Sequence, residues 1–131
     1  MEKMKEKDDK MKYIAHKDGE REQTIKEHLI GTATLAGQFA EKFGSKDWGY
    51  CGGMLHDIGK YSEEFQKKIN EDTNNMVDHA TAGAQLCKKI NLPVLDYCIA
   101  GHHAGLPDYG NTAERSSLCG RYKKKIYNYE A

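Results

Sequence analysis

Residues 52–65 read GGMLHDIGKYSEEF and set a histidine directly against an aspartate, at His56 and Asp57. A lysine follows at Lys60, and Gly59 stands where a helix through the pair would end. Neighbouring residues of a helix point about 100° apart, so two adjacent side chains can both reach one metal ion only where the helix frays or ends. The stretch is therefore either a pair of metal ligands or two polar residues that close a helix.

The chain around this stretch reads as a series of helices separated by polar turns. Residues suited to capping precede several apolar segments, among them Ser45 or Asp47, Ser62 and Asp78. The predicted helices span residues 21–44, 45–59, 62–69, 78–90, 93–103 and 112–128. No alternation of period two is sustained, so the predicted fold is all-α, a single helical domain.

The first of these helices carries an apolar stripe at helical spacing, which predicts its inward face. The stripe comprises Ile25, Leu29, Leu35, Ala36, Phe39 and Phe43. His28 and Thr32 share this face, and Gly44 follows where the helix should stop. His28 is thus predicted to point inward.

Length and charge restrict the classes of function. At 131 residues the chain is about one domain long, with residues 1–12 predicted as a charged, disordered leader and residues 13–131 as the domain. Twenty basic and twenty acidic side chains cancel, so an anionic partner must be held locally. Neither a signal peptide nor an apolar run of about 18 residues is visible, which predicts a cytoplasmic protein with no membrane partner. The four cysteines are predicted to be buried or half-buried thiols.

Five of the six histidines lie on four predicted helices, in contexts that look alike. They are His28, His56, His79, His102 and His103. A lone histidine is most often a hydrogen-bonded core or surface residue, and that alternative stays open for each one taken singly. Imidazole and carboxylate ligands that converge from several elements suit a transition metal, so the five histidines together with Asp57 favour a metal site. His16, near the start of the fold, is left outside this set.

Four motifs carry a family resemblance, namely HLIGTA (residues 28–33), MLHDIGKYSEEFQ (54–66), DHATAGAQL (78–86) and AGHHAGLPD (100–108). Together they resemble the HD superfamily of metal-dependent phosphohydrolases. They resemble more closely the HD nuclease domain of the CRISPR-associated helicase-nuclease of type I systems. The resemblance implies a single helical HD domain and a metal-dependent nuclease.

The resemblance also implies a two-metal site. In it one metal is held by His28, His56 and Asp57, and Asp57 bridges to a second metal held by His79, His102 and His103. Lys60 matches the family lysine near the scissile phosphate and would be catalytic with Asp57, whereas a solvated lysine at a helix end is the alternative. Mixed histidine and carboxylate ligands favour Mn²⁺, Fe²⁺, Co²⁺ or Ni²⁺ over Mg²⁺, which remains possible.

Single-stranded DNA enters as the substrate through the same resemblance, with a helicase domain or subunit and a CRISPR RNA-guided surveillance complex as partners. Residues 121–129, RYKKKIYNY, interleave cations with tyrosines as a single-strand groove requires, although a solvated helix face is the alternative. Two other functions stay open. One is an HD-type phosphohydrolase of nucleotides or small phosphate esters, and the other is a catalytically incomplete HD module.

One departure from the family pattern concerns the first metal. The family has a further aspartate, well downstream of the double histidine, that completes this site, and no residue up to Ala131 matches it. Asp108 follows His103 by only five positions and is not equated with it. The expectation is that the chain is a C-terminally truncated fragment.

Overall fold

The computed structural model describes residues 12–71 and 76–130, and within them it contains six α-helices and one two-stranded sheet. In chain order the elements are β1 (Ile14–Asp18), β2 (Arg21–Thr24), α1 (Ile25–Glu41), α2 (Lys46–Leu55), a 3-10 turn (Ile58–Tyr61), α3 (Glu63–Glu71), α4 (Ala80–Lys89), α5 (Leu95–Gly101) and α6 (Leu118–Lys123). The predicted all-α class is confirmed, with one small antiparallel hairpin added. Except for Lys12, the predicted leader lies outside the described residues.

Local side-chain chemistry sets the start of two helices. Thr24 and Glu27 form a capping box at the start of α1: the Thr24 hydroxyl accepts from the Glu27 amide at 3.2 Å, and the Glu27 carboxylate accepts from the Thr24 amide at 3.0 Å. Ser62 caps α3 as predicted, since its hydroxyl accepts from the amide of Phe65 at 3.2 Å. Gly44, with φ of +75°, follows the end of α1, where the sequence predicted a stop.

The last helix is much shorter than the predicted span of residues 112–128. The Ser117 hydroxyl accepts from the amide of Gly120, so α6 starts at Leu118. At the other end the Gln85 side-chain amide donates to the carbonyl oxygens of Arg121 at 2.8 Å and Lys124 at 2.7 Å. A continuing helix would need the Arg121 carbonyl for its own ladder, so the chain leaves the helix there and runs extended.

The predicted inward stripe of α1 is wrong in its second half. Leu35, Phe39 and Phe43 are 56%, 64% and 67% exposed, and we refer to these three residues as the α1 strip. The face that packs on α2 consists of small residues instead, and a Cβ atom added to Gly53 would lie 2.4 Å from the Cα of Ala33. The two backbones approach so closely that a large side chain does not fit between them.

Two clusters of buried apolar residues flank the middle of the molecule. One joins α4, α5 and α6 through Ala84, Cys87, Leu95, Ile99, Ala100 and Leu118. The other joins the hairpin to α1 through Ala15, Ile25 and Leu29. The thiol prediction fails at Cys98, which is exposed because it lies on the outer face of α5. The 3-10 turn connects α2 to α3 between these clusters, and the polar site lies around its start.

Candidate metal centre

A single buried carboxylate, that of Asp57, lies at the centre of the site. It is 2% exposed, and its two oxygens face different histidines. Oδ2 lies 2.9 Å from Nε2 of His28 and 3.2 Å from Nε2 of His56. Oδ1 lies 3.0 Å from Nε2 of His102 and 3.4 Å from Nε2 of His79. A carboxylate with one oxygen toward each of two ligand groups can bridge two cations.

The candidate ligands fall into two groups that share this aspartate. The first group is His28, His56 and Asp57, and the second is Asp57, His79, His102 and His103. Within each group the ligand atoms lie within 4.8 Å of one another. The structure thus brings together all six residues that the sequence nominated, and neither group includes Asp108. Their role as ligands stays a prediction.

Backbone carbonyls fix which ring nitrogen of three histidines faces the centre of the site. Nδ1 of His56 lies 2.5 Å from the carbonyl oxygen of Gly53, and Nδ1 of His102 lies 2.6 Å from that of Ile99. Nδ1 of His79 is 3.3 Å from the carbonyl of Val77. A carbonyl oxygen can only accept, so Nδ1 carries a hydrogen and Nε2 is the ring nitrogen that faces the centre. This is the arrangement that metal-binding histidines adopt.

The spacing of the ring nitrogens fits a cation between them. Nε2 of His28 and Nε2 of His56 are 3.1 Å apart, and those of His79 and His103 are 2.7 Å apart. Two nitrogens that bind one cation at about 2.1 Å and at right angles to each other lie about 3 Å apart. Nitrogen and oxygen donors at this spacing therefore suit a divalent transition metal.

The second group depends on how α4 begins. The Asp78 carboxylate accepts from the amides of Ala80 at 3.2 Å and Thr81 at 3.1 Å, so it caps α4 as predicted. His79 lies at the N-cap position of α4. A Cβ atom on Gly59 would lie 2.4 Å from the carbonyl oxygen of His79. Glycine is needed at position 59 because it lets the 3-10 turn approach the backbone of His79.

Lys60 is buried against the carboxylate. It is 3% exposed, its Nζ lies 3.3 Å from Oδ2 of Asp57, and it donates to the carbonyl oxygen of Ala15 at 3.3 Å. Its Nζ also lies 5.4 Å from the centre of the Phe65 ring. The alternative of a solvated lysine at a helix end is therefore wrong, because burial and three contacts hold the ammonium group inside. A catalytic role for Lys60 stays a prediction.

The protonation states of the metal-free site follow from burial and charge. Burial alone would raise the pKa of Asp57, but hydrogen bonds from His102 and His56 and the charge of Lys60 bring that pKa far below its usual range. Burial lowers the pKa of His79 to about 4 and also lowers the pKa of His28. For His102 burial is outweighed by its hydrogen bond to Asp57, and its pKa is raised. An ionised carboxylate among mainly neutral imidazoles is ready to bind a cation.

The sixth histidine, His16, lies beside the first group, although the sequence analysis left it out. Its ring centre is 4.8 Å from that of His28, in an edge-to-face arrangement. Burial and the charges of Lys60 and His28 lower the pKa of His16. Only the path of the hairpin brings it here, and the spacing of motifs along the chain carries no such signal.

A cleft of about 1040 Å³ opens beside the second group, with His79 and His103 in its wall. Six cationic side chains also line it, namely Lys68, Arg115, Arg121, Lys123, Lys124 and Lys125. Lys124 is paired with the Asp78 carboxylate at 2.5 Å, and Arg121 donates to the Ala100 carbonyl. The six cations outnumber the one carboxylate of the lining, Asp78, so the cleft carries a net positive charge.

The basic segment of residues 121–129 agrees only in part with each sequence interpretation. Lys123, Lys124 and Lys125 are exposed, as the solvated alternative predicts, but they also line the cleft, and the helix ends at Lys123. Tyr122, however, is not a free stacking platform, because its hydroxyl donates to the buried carboxylate of Asp96 and it packs against the core.

Among the described helices, none has the length and apolar character needed to cross a bilayer.

Two comparisons with known proteins bear on the family of this chain. The chain is 29% identical over 102 residues to a 1-hydroxy-2-(trimethylamino)ethylphosphonate dioxygenase (glycine-betaine-forming) from Leisingera caerulea, an alignment that covers 72% of this chain and 50% of that protein. The chain therefore spans about half the length of this relative. The family model of the HD domain matches residues 25–130, which include every candidate ligand. On that match the chain belongs to the HD domain family.

Proposed function

We propose that this chain is an HD-type phosphohydrolase that cleaves a phosphate ester with the help of two divalent cations. The observation that carries the proposal is the shared carboxylate of Asp57, with one oxygen turned toward each ligand group. Membership of the HD family supports metal-dependent chemistry at these residues.

Each ligand group has a defined part in this proposal. In this proposal His28, His56 and Asp57 would hold one cation, and Asp57, His79, His102 and His103 would hold the other. The donors are nitrogen and carboxylate oxygen, which favours Mn²⁺, Fe²⁺, Co²⁺ or Ni²⁺ over Mg²⁺. When bound, two such cations neutralise charge on phosphoryl oxygens and make water a stronger nucleophile.

The other residues of the site bind and orient the substrate. The buried ammonium group of Lys60 balances the charge of Asp57 before the cations bind, and it supplies positive charge for a phosphoryl oxygen once they take over that task. The basic cleft holds the remaining anionic part of the substrate next to His79 and His103.

Hydrolysis of p-nitrophenyl phosphate and of bis(p-nitrophenyl) phosphate tests the proposal, with each of Mn²⁺, Fe²⁺, Co²⁺, Ni²⁺ and Mg²⁺. We expect turnover that EDTA abolishes and that Asp57→Ala lowers by at least about a thousandfold, because the variant loses the bridge between the cations. Asp47→Ala, which removes an exposed carboxylate from α2, is the matched control and should leave the rate unchanged. Turnover by Asp57→Ala near the wild-type rate would exclude the two-metal site.

A second candidate is a nuclease that cleaves single-stranded DNA with a helicase domain or subunit, in CRISPR interference. The motif resemblance and the basic cleft support it. Circular single-stranded DNA is the discriminating substrate, because it has no ends and only an endonuclease linearises it. We expect the nuclease to lose this activity in an Arg115→Ala, Lys125→Ala double variant that still hydrolyses p-nitrophenyl phosphate. Intact circles alongside rapid hydrolysis of small esters would favour the phosphohydrolase.

The relative from Leisingera caerulea suggests a third arm of the same experiment, since its name describes a dioxygenase that acts on a phosphonate. The Fe²⁺-loaded chain is mixed with that phosphonate under air, and oxygen uptake is followed with an electrode. Oxygen uptake that requires His28 and Asp57, together with no ester hydrolysis, would replace the hydrolase proposal with an oxygenase. Neither activity in any arm would leave a catalytically incomplete HD module.

A further inference from the structure

The hairpin that precedes α1 contains an irregularity next to the metal centre. Ile14 pairs with Thr24 and His16 pairs with Gln23, so β1 holds one more residue than β2 over this interval. The extra residue is Ala15, and the result is a β-bulge. Bulges change the direction in which a side chain points, and they occur often beside active sites.

The bulge has two visible effects on the site. Ile14 and Ala15 are both 2% exposed although they are consecutive, which a regular strand with one open face does not allow. The carbonyl of Ala15 accepts from Lys60, and the next side chain, His16, lies edge-to-face on His28. The bulge thus connects the hairpin to the buried lysine and to a ligand of the first group.

The hairpin is fixed in this position from the other side. The Gln66 side chain accepts from the amide of Ile14 at 2.8 Å and donates to its carbonyl at 2.9 Å. The same side-chain amide donates to the carbonyl of Lys60 at 2.9 Å. One glutamine therefore holds β1 and the 3-10 turn together, two residues before His16.

His16 lies beside the candidate ligands but is not one of them. Lys60, His28, Asp57 and His103 all act on it electrostatically. Its side chain is nevertheless exposed, and it is in neither group of converging ligand atoms. Its imidazole is exposed and lies beside His28 of the first group, so an anion can reach it from solvent. It offers an N–H donor whether it is neutral or protonated.

We propose that His16 contacts the substrate and donates a hydrogen bond from its imidazole to an oxygen of the phosphate group held at the first ligand group. This inference rests on the proposed function only in taking a phosphate-type anion as the ligand. It makes His16 a binding residue in a site whose other histidines are ligands.

The test measures inorganic phosphate binding to the Mn²⁺-loaded full chain by titration calorimetry, for wild type and three variants. His16→Ala removes the donor, and His16→Gln restores an amide donor of similar reach. Lys17→Ala is the control, because it removes a full positive charge from the next exposed residue of the same strand. If general electrostatics were responsible, the control would show the larger effect. Mn²⁺ titration of each variant gives the stoichiometry and affinity for the metal.

We expect His16→Ala to weaken phosphate binding by about tenfold, as is typical when a hydrogen bond to a charged group is lost. His16→Gln should recover about half of that effect on a logarithmic scale, and Lys17→Ala should change the affinity by less than about twofold. Mn²⁺ stoichiometry should be the same in all four proteins. With a turned-over ester, His16→Ala should raise KM more than it lowers kcat.

Two results would overturn the inference. A lost equivalent of Mn²⁺ in His16→Ala would make His16 a ligand instead, and unchanged phosphate affinity would show that it contacts nothing. Failure of the proposed function gives a different pattern. In that case the wild-type chain hydrolyses no ester, yet phosphate binding still depends on His16, and the inference stands.

Discussion

At the scale of single residues, Asp57 and Lys60 form a pair of opposite charges that is almost completely removed from solvent. Burial of such a pair stabilises little by itself, because desolvation offsets most of the attraction. Hydrogen bonds from His102 and His56, together with the charge of Lys60, keep the carboxylate ionised while no metal is bound, which is the form that can bind a cation. If two cations bind as proposed, they add positive charge around this one carboxylate, and an anionic substrate would balance that charge.

The histidines of the metal-free protein make its stability depend on pH. The unfolded chain binds a proton at His79 near the ordinary value of 6.5, whereas the folded chain binds it only near pH 4. The unfolded state therefore holds more protons between pH 6.5 and 4, so stability falls as the pH falls through this window and is unaffected above it. His28 and His103 act in the same direction, and His102 opposes them.

We expect His79 to account for a loss of about 2 kcal/mol between pH 7 and pH 5. Urea unfolding in EDTA at both pH values measures it, in wild type and in His79→Gln. The variant should lose less stability over the interval, because glutamine takes up no proton. The difference between the two pH values is compared, so a general effect of the substitution on stability cancels. Equal losses in both proteins would show that His79 titrates normally in the fold.

The candidate ligands could be identified from the sequence because they belong to short local motifs such as HD and HH, which can be recognised without knowing the fold. For Lys60 the sequence left two alternatives open, a catalytic lysine and a solvated lysine at a helix end. The burial of Lys60 could not be predicted, because it depends on contacts such as the one with the Ala15 carbonyl, 45 residues earlier in the chain. His16 could not be found in this way. Its position depends on a bulge, and a single sequence gives no clear signal for one extra residue in a strand.

At the scale of elements, α1 and α2 are held together by the close approach of small residues. A Cβ atom on Gly53 would meet backbone atoms of Ala33, which cannot move without separating the helices. The carbonyl of Gly53 also accepts from His56, so this contact sets the position of a candidate ligand. Helix packing and the position of this candidate ligand therefore depend on the same interface.

Gly53→Ala should destabilise the protein by about 1–3 kcal/mol and weaken Mn²⁺ binding, because the helices must separate to admit the methyl group. Gly31→Ala is the matched control: Gly31 lies within α1, and a Cβ there meets no atom within 4 Å. It should stabilise the fold by about 0.5–1 kcal/mol through the helix preference of alanine. Urea unfolding and Mn²⁺ titration measure both effects. Similar shifts for the two variants would mean that the interface is not tightly packed.

Helix existence could be predicted better than helix faces or ends. Capping residues such as Ser62 and Asp78 mark starts in a purely local way, and both predictions are confirmed. The inward face of α1 could not be predicted, because it depends on the glycines of α2 rather than on apolar periodicity. The end of α6 depends on Gln85, which belongs to a different helix.

At the scale of the whole molecule, the two ligand groups are unequal. The second group offers four residues and the first offers three, with Asp57 common to both. A cation with fewer fixed ligands keeps more water, and less of its dehydration cost is offset. The unequal groups arise from different parts of the fold: α1 and α2 supply the first, whereas the start of α4 and the end of α5 supply most of the second.

We expect Mn²⁺ to fill the second group before the first. Titration calorimetry should resolve a tighter and a weaker equivalent, and His103→Ala should weaken the tighter one while His28→Ala removes the weaker one. These two variants serve as controls for each other, since each leaves the opposite group complete. Two equivalents of equal affinity in the wild-type chain would show that a fourth residue is not needed at the first group.

The α1 strip has a consequence for the protein in concentrated salt. Sulfate is excluded from protein surfaces and so favours the burial of exposed apolar area. The chain has a formal net charge of zero and a pI near 7.0, so copies do not repel one another at neutral pH. Solubility in ammonium sulfate should therefore be lowest near pH 7 and rise on either side, where like charges keep the strips of different molecules apart.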